Sequence, residues 1–205
     1  NDISFIIPHN EPLLEYETTV PSDVAERIGK YVASIVEDGD TVQVGYGSTP
    51  NAIIAALSNK HNLGVHTELF SHGIADLMKQ GVVNNTKKRI DHSKTVAAFC
   101  MGNKETYEFI HDNPAVEFRT IDYTNNPAVI AALGNITAIN SALEIDLTGQ
   151  ATAESIGKTF YSGIGGHTDF MRGAVLTPNG KSVLVLQSTA QDGTVSRIVP
   201  YLREG

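Results

Sequence analysis

The chain has 205 residues, of which 41% are hydrophobic and 19% charged, with 23 acidic against 15 basic side chains and a formal net charge of -8. This is the composition of a globular protein of one domain, or one domain with a small extension, and its acidic balance argues against nucleic-acid or anionic-membrane surfaces, which need a basic field. A single cysteine, Cys100, excludes an intrachain disulfide and fits a reducing, cytoplasmic compartment.

Ile3 to Ile7 reads as an opening strand and Pro8 to Pro12 as a linker, so residues 1–21 are assigned to an N-terminal strand and linker. The start lacks the basic-then-apolar pattern of a signal peptide, and both ends read as cut points of a longer chain. From residue 22 onward no domain boundary is visible. Ser22 and Asp23 suit a helix start, and Val24, Ile28, Tyr31, Val32 and Ile35 recur at helical spacing. Thr41 to Val44 is a strand ended by Gly45 and Gly47. Thr49 then caps a helix whose first residue is Pro50 and whose apolar run, Ala52 to Leu57, is far too short to span a membrane. Gly64 to Glu68 is the next strand, and Ser71 caps a helix that Gly81 ends.

Thr95 to Cys100 reads as a strand, with Cys100 a small buried hydrophobe. Asn103 opens a helix, Glu117 to Ile121 is a strand, and a short helix follows Asn126-Pro127. Ile136 to Asp146 reads as one long strand. Ser182 to Gln187 and Thr194 to Val199 form a terminal strand pair around Asp192-Gly193. Alternating strands and helices imply an α/β fold with a largely parallel sheet covered on both faces, and the late strands add a mixed edge.

Glu68 ends a strand about twenty residues after the glycine turn at Gly45 and Gly47, where open α/β sheets hold their ligands. Carboxylates are competent nucleophiles. The turn itself is either an anion-holding strand-to-helix junction or a tight turn without ligand; Pro50 stands where a dinucleotide fingerprint needs its third glycine. Gly163-Ile164-Gly165-Gly166 lets backbone approach a ligand closely, or merely supplies a loop. Asn125-Asn126-Pro127 offers an amide donor for an oxyanion, or an ordinary turn. Glu144 and Asp146 share one strand face, for acid/base work or for structural hydrogen bonding. His66, Glu68 and His72 raise a metal question, but a zinc deaminase needs a cysteine pair that a chain with one cysteine lacks; no metal is assigned.

Taken in order, Val42-Gln43-Val44-Gly45-Tyr46-Gly47, Leu63 to Ser71, Ile139 to Gln150, Tyr161-Ser162-Gly163-Ile164-Gly165-Gly166, Asp169 to Ala174 and Ser196 to Pro200 resemble the acetyl-CoA hydrolase/transferase family. These are class I CoA-transferases, here of the 4-hydroxybutyrate CoA-transferase-like kind. The resemblance implies a three-layer α/β/α sandwich with a mostly parallel mixed sheet, of the sugar-phosphate-isomerase and CoA-transferase type. It makes 22–205 the C-terminal catalytic domain of a two-domain protein, with an N-terminal partner domain absent and a homodimer as the assembly.

The implied activity is acyl-CoA:carboxylate CoA transfer through a covalent glutamyl-CoA thioester, with coenzyme A entering as the substrate thioester and a small carboxylate as acceptor. An acetyl-CoA hydrolase using the same glutamate, and a half-domain inactive without its N-terminal partner, stand as alternatives; a sugar-phosphate isomerase is a weaker one. By resemblance Glu68 is the catalytic glutamate, and Asn125 or Asn126 the oxyanion donor. Gly166, with Gly163 and Gly165, is the glycine loop at the thioester. Gly45 and Gly47 form the upstream turn. His167 stands in that site where glutamine is usual, and His72 stands where an acid is usual.

Overall fold

The computed structural model describes residues 3–16 and 20–204; residues 1–2 and 17–19 of the expected strand and linker, and Gly205, lie outside the described residues. Helix α1 (Asp23–Ile35) starts where the Ser22 hydroxyl accepts from the Ala25 amide, satisfying one of the orphan donors of a helix start. Then come β1 (Thr41–Val44), α2 (Ser48–Ala56), β2 (Gly64–Val65), β3 (Leu69–Phe70) and α3 (His72–Lys79). The middle of the chain holds β4 (Thr95–Ala97), β5 (Phe99–Cys100), α4 (Lys104–Ile110), β6 (Val116–Phe118), α5 (Ile121–Thr124) and α6 (Pro127–Ala132). The last third holds β7 (Ile136–Ser141), β8 (Glu144–Asp146), β9 (Ala151–Thr152), β10 (Ser155–Ile156), β11 (Thr159–Phe160), α7 (His167–Leu176), β12 (Lys181–Val185), β13 (Thr189–Ala190), β14 (Val195–Ser196) and β15 (Ile198–Val199).

The central sheet is parallel, in the order β12-β7-β1-β2. Side chains alternate between its faces. Val42, Val44, Val65, Ile139 and Val185 join Val32 of α1 and Ile53 and Ile54 of α2 in one core. Ile136 and Ala138 join Ile130 of α6 and Phe170 and Ala174 of α7 in the other. Helices thus cover both faces, a three-layer α/β/α arrangement. A parallel bridge between His66 and Val96 carries the sheet on toward the β4–β6 pair, and antiparallel pairs such as β8–β9 and β13–β14 make the later part mixed. From the adjacent strands β1 and β7 the chain departs in opposite directions, through α2 to β2 and through α7 to β12. A switch of this kind opens a crevice at the carboxyl ends of the two strands.

Several expected elements differ. Ile3 to Ile7 forms no strand; Phe5, Ile6 and Ile7 are exposed and pair with nothing among the described residues. Helix α2 begins at Ser48 with Gly47, at φ 124°, as its cap, so Thr49 does not cap it. The Gly64–Glu68 ladder narrows to Gly64–Val65. Thr95 to Cys100 is broken at Ala98, because the amides of Ala98 and Phe99 both turn onto the Glu68 carbonyl, at 2.8 and 3.1 Å. Glu117 to Ile121 stops at Phe118, as Thr120 becomes the N-cap residue of α5. Ile136 to Asp146 splits because the Ala142 amide stays with Val185 of the central sheet while the Leu143 amide crosses to Thr152. β12 lies parallel in the central sheet, and the terminal hairpin is β13–β14 instead. The buried stripe of α1 is Ala25, Gly29 and Val32, whereas Val24, Tyr31 and Ile35 of the expected stripe are exposed.

Helix α1 can lie against α2 only because residue 29 has no side chain: a Cβ there would stand 2.7 Å from the Ala52 carbonyl oxygen. Gly29→Ala gains about 1 kcal/mol of helix propensity but overpacks rigid backbone at about 1–3 kcal/mol. The expected net result is a lower urea midpoint with an unchanged m-value; a raised midpoint would contradict this packing.

Candidate active site

Glu68 follows a strand whose outer edge is closed by side chains. The Val65 amide donates to Asn85 Oδ1 at 2.9 Å, and the Val65 carbonyl accepts from Lys88 Nζ at 3.0 Å. Asn85 reaches on to Thr95 Oγ1 of β4 at 2.9 Å. Side chains from the loop at 85–88 therefore take part of the place of a neighbouring strand, meeting the requirement that buried backbone groups be paired. Lys88 is buried without a carboxylate contact among the described residues, and burial pushes its ammonium down to about 8. Beyond Val65, His66 pairs with β1 through its amide, Thr67 with Val96, and Glu68 emerges at the carboxyl edge of the sheet.

Two other segments meet it there. Asn125, at the C-terminal end of α5, donates its Nδ2 to Glu68 Oε2 at 2.7 Å. Thr124 Oγ1 donates to Asn125 Oδ1 at 2.9 Å, which fixes the amide with its nitrogen toward the carboxylate. Gly166, at the start of α7, is buried against the same pair; any Cβ at that position would overlap both Glu68 Oε2 and Asn125 Nδ2. A cavity of about 270 Å³ opens in front of the carboxylate. Val44, Leu69, Phe99, Met101 and Phe170 supply apolar wall, while Gln43, Asn140 and His167 supply polar groups. Gln43 and Asn140 bond reciprocally across β1 and β7, at 2.9 and 3.2 Å. Half-burial lowers the His167 imidazole, against an opposing pull from Glu154. Tyr46 also lines the cavity; burial first, then Tyr16, pushes its phenol up to about 12.

Behind Glu68 lies a polar cluster. His66 Nε2 is 2.8 Å from the Thr124 carbonyl oxygen. Tyr123 donates to both oxygens of Asp91, at 3.0 and 2.9 Å, and Arg119 stacks on its ring 4.6 Å from the centroid. Burial pushes His66 down to about 4.

Residues 102–205 match the acetyl-CoA hydrolase/transferase C-terminal domain. The chain belongs to the acetyl-CoA hydrolase/transferase family. It is 46% identical over its whole length to the 4-hydroxybutyrate coenzyme A transferase of Clostridium kluyveri, covering 48% of that protein. It is 44% identical, again over its whole length, to the succinyl-CoA:cyclohexane-1-carboxylate CoA transferase of Geobacter metallireducens, covering 47%. The chain thus spans about half the length of these relatives. Among solved structures, RipA from Yersinia pestis superposes with a TM-score of 0.90 at 39% identity, over 95% of this chain and 44% of that one. The 4-hydroxybutyrate CoA-transferase of Porphyromonas gingivalis gives 0.83 at 41% identity, over 95% and 46%.

In this member of the family, Glu68, Asn125 and Gly166 converge, and Gly45 and His167 line the same cavity. Gly47 instead sits back as the cap of α2. Asn126 is exposed and turns its Oδ1 onto the Ala128 amide, capping α6 away from Glu68. Gly163 and Gly165 are exposed, with open space where a side chain would project. Glu144 and Asp146 are buried outside the cavity lining. Asp146 accepts from the Thr148 hydroxyl and the Thr148, Gln150 and Leu202 amides, so it ties a loop and is held down at about 2, chiefly by Thr148. The three groups of the metal question have separate partners: His66 has Thr124, Glu68 has Asn125, and His72 has Thr106 and Asp76. Burial raises the Cys100 thiol to about 11, keeping it protonated. Residue spacing alone did not identify Gln43, Asn140, Phe99, Met101 and Phe170 as cavity residues. The signal for the first two was their position one residue before the ends of the strands that flank the switch point.

Two outcomes follow from this geometry. Gly166→Ala should drive Glu68 and Asn125 apart with the fold kept. In a crystal structure of the variant, Asn125 Nδ2 should lie beyond hydrogen-bond reach of Glu68 Oε2, against 2.7 Å here; an unchanged separation would contradict the close packing. The second concerns pH. His66 has an unfolded value near 6.5 and a folded value of about 4. Its neutral burial carries no proton penalty above the unfolded value. Between roughly pH 6.5 and 4 the unfolded chain binds a proton that the fold refuses, so stability falls by roughly 1.4 kcal/mol per unit as pH drops. Urea unfolding at about pH 5 and about pH 7 should show this slope, and His66→Gln should flatten it; equal slopes would contradict the assignment.

Proposed function

We propose that this chain is the nucleophile-bearing half of an acyl-CoA:carboxylate CoA-transferase. The observation that carries the reading is the Glu68 carboxylate, bonded by Asn125 and overlaid by Gly166, at the mouth of a cavity beside the β1/β7 switch point. Glu68 attacks the thioester carbonyl of acyl-CoA, the C–S bond breaks, and an acyl-glutamyl anhydride forms with release of CoA thiolate. The thiolate then attacks the Glu68 carbonyl, the acyl carboxylate leaves, and a glutamyl-CoA thioester remains. An incoming carboxylate attacks that thioester to give a new anhydride, and the thiolate returns to its acyl carbon, regenerating Glu68 and a new acyl-CoA.

Asn125 has a defined part in this sequence. Its Nδ2 already touches Glu68 Oε2. When sulfur adds to the glutamyl carbonyl carbon, the oxyanion develops on an oxygen of Glu68 itself, and the donor is in place without reorganisation. The mostly apolar cavity wall suits a short acyl chain and limits access of water. Water in place of the acceptor acid makes the same site a hydrolase. The exposed apolar residues Val24, Tyr31 and Ile35 of α1, with the half-length coverage of the relatives, support an N-terminal half of the same protein as the partner that completes the site.

Kinetics of the full-length protein test this reading. Glu68→Gln should reduce CoA transfer to background, and Asn125→Ala should cut kcat by about 10²–10³. CoA release should depend on added acetate. Wild-type turnover by Glu68→Gln would sink the reading, and acetate-independent CoA release would turn the assignment to hydrolase.

A further inference from the structure

We propose that His66 is a positioning residue for CoA transfer, acting on Glu68 through Thr124 and Asn125; the role in transfer rests on Glu68 as nucleophile. His66 is completely buried and is not part of the cavity lining, so it does not touch substrate. Its Nε2 faces the Thr124 carbonyl oxygen at 2.8 Å. A carbonyl only accepts, so Nε2 carries the hydrogen and Nδ1 is a bare acceptor. Nδ1 is buried with no partner among the described residues. A second proton there would be an unsolvated charge beside Lys88 and Arg119, in a cluster whose carboxylates, Asp91 and Glu117, are already engaged by Tyr123 and Arg119. The ring therefore stays neutral, with one donor aimed in one direction.

The carbonyl that His66 holds belongs to the peptide unit joining Thr124 to Asn125. Because a peptide unit is planar, fixing that oxygen fixes the orientation of the backbone that carries Asn125. The Thr124 hydroxyl then fixes the Asn125 amide at 2.9 Å, and the Asn125 nitrogen reaches Glu68 at 2.7 Å. The relay begins two residues before Glu68 and returns to it through another segment of the chain. His66 also meets Phe170 edge-on, with ring centroids 6.2 Å apart. Phe170 donates its amide to the Gly166 carbonyl at 3.1 Å, one helical turn back. One imidazole thus braces both segments that close on the carboxylate. A ring kept only for packing needs no nitrogens, and an unpartnered buried Nδ1 is a cost that phenylalanine would avoid.

The test uses full-length protein labelled with 15N-asparagine and carrying His66→Phe, which keeps a ring but no donor, or His66→Gln, which keeps an N–H. In His66→Phe the Asn125 side-chain amide signals should shift and exchange faster. Its kcat should fall by about 10–100-fold, the effect of small misplacement, with KM for acyl-CoA within about twofold. His66→Gln should recover at least about tenfold of that loss. An unmoved Asn125 amide in His66→Phe, or equal kcat losses in Phe and Gln variants, would overturn the proposal. If His66→Phe does not fold, His66→Met, which likewise has no donor, takes its place, with the same shift expected and the same overturning result. Full turnover in Glu68→Gln would remove the nucleophile reading, while the amide signals still report whether His66 orients Asn125.

Discussion

The close approach of Gly166 to the Glu68–Asn125 pair constrains the architecture around it. Three segments far apart in sequence meet where no side chain fits on the third. Each must therefore be held to within a fraction of an ångström, and each is held by a different device. Glu68 is carried out of a parallel strand, Asn125 is held at the end of a one-turn helix, and Gly166 is seated at the start of α7 by Phe170 in the second core. The sheet supplies the place, because the chain leaves the paired strands β1 and β7 in opposite directions beside it. Preorganisation of this kind is what lets a hydrogen-bond donor act on developing charge without being rearranged at the moment of reaction.

The polar cluster behind the site is held at a cost in stability. A neutral histidine and a lysine pushed down to about 8 are buried where apolar side chains would fold with less penalty. Both are used as donors to backbone carbonyls, Lys88 to Val65 and Lys94, and His66 to Thr124. The Val65 carbonyl belongs to the strand that leads to Glu68, the Lys94 carbonyl to the start of β4, and the Thr124 carbonyl to the helix end that carries Asn125. His66 thus explains a loss of stability toward acid, and both groups a gain in positional definition. Violations of simple core rules at functional sites are expected for this reason.

Much of the fold was legible in the sequence. The strand–helix alternation, the Ser22, Asn103 and Asn126 caps and the Gly45 turn all follow from local chemistry, and local chemistry is what short-range pattern reports. The breaks at Ala98 and at Ala142–Leu143 were not legible. They arise when neighbouring amides find acceptors in different sheets, Val185 and Thr152, or converge on one carbonyl, that of Glu68. The α1 stripe misled because Gly29 packs by what it lacks. At the site, the motifs marked Glu68 and Gly166 as chemically interesting but left Asn125 and Asn126 equivalent. Only the tertiary structure separates them, one bonded to Glu68 and the other spent on a helix cap. His66 raised only a metal question that was set aside, and no local pattern pointed to its actual partner, a carbonyl 58 residues away.

The most direct measurement is peptide mass spectrometry of the full-length protein after incubation with acyl-CoA in the absence of an acceptor acid, followed by borohydride reduction. The account predicts that the peptide containing Glu68, and no other, carries CoA before reduction and has its glutamate converted to the corresponding alcohol afterwards. Turnover accompanied by an unmodified Glu68, or by CoA attached to a different residue, would contradict it.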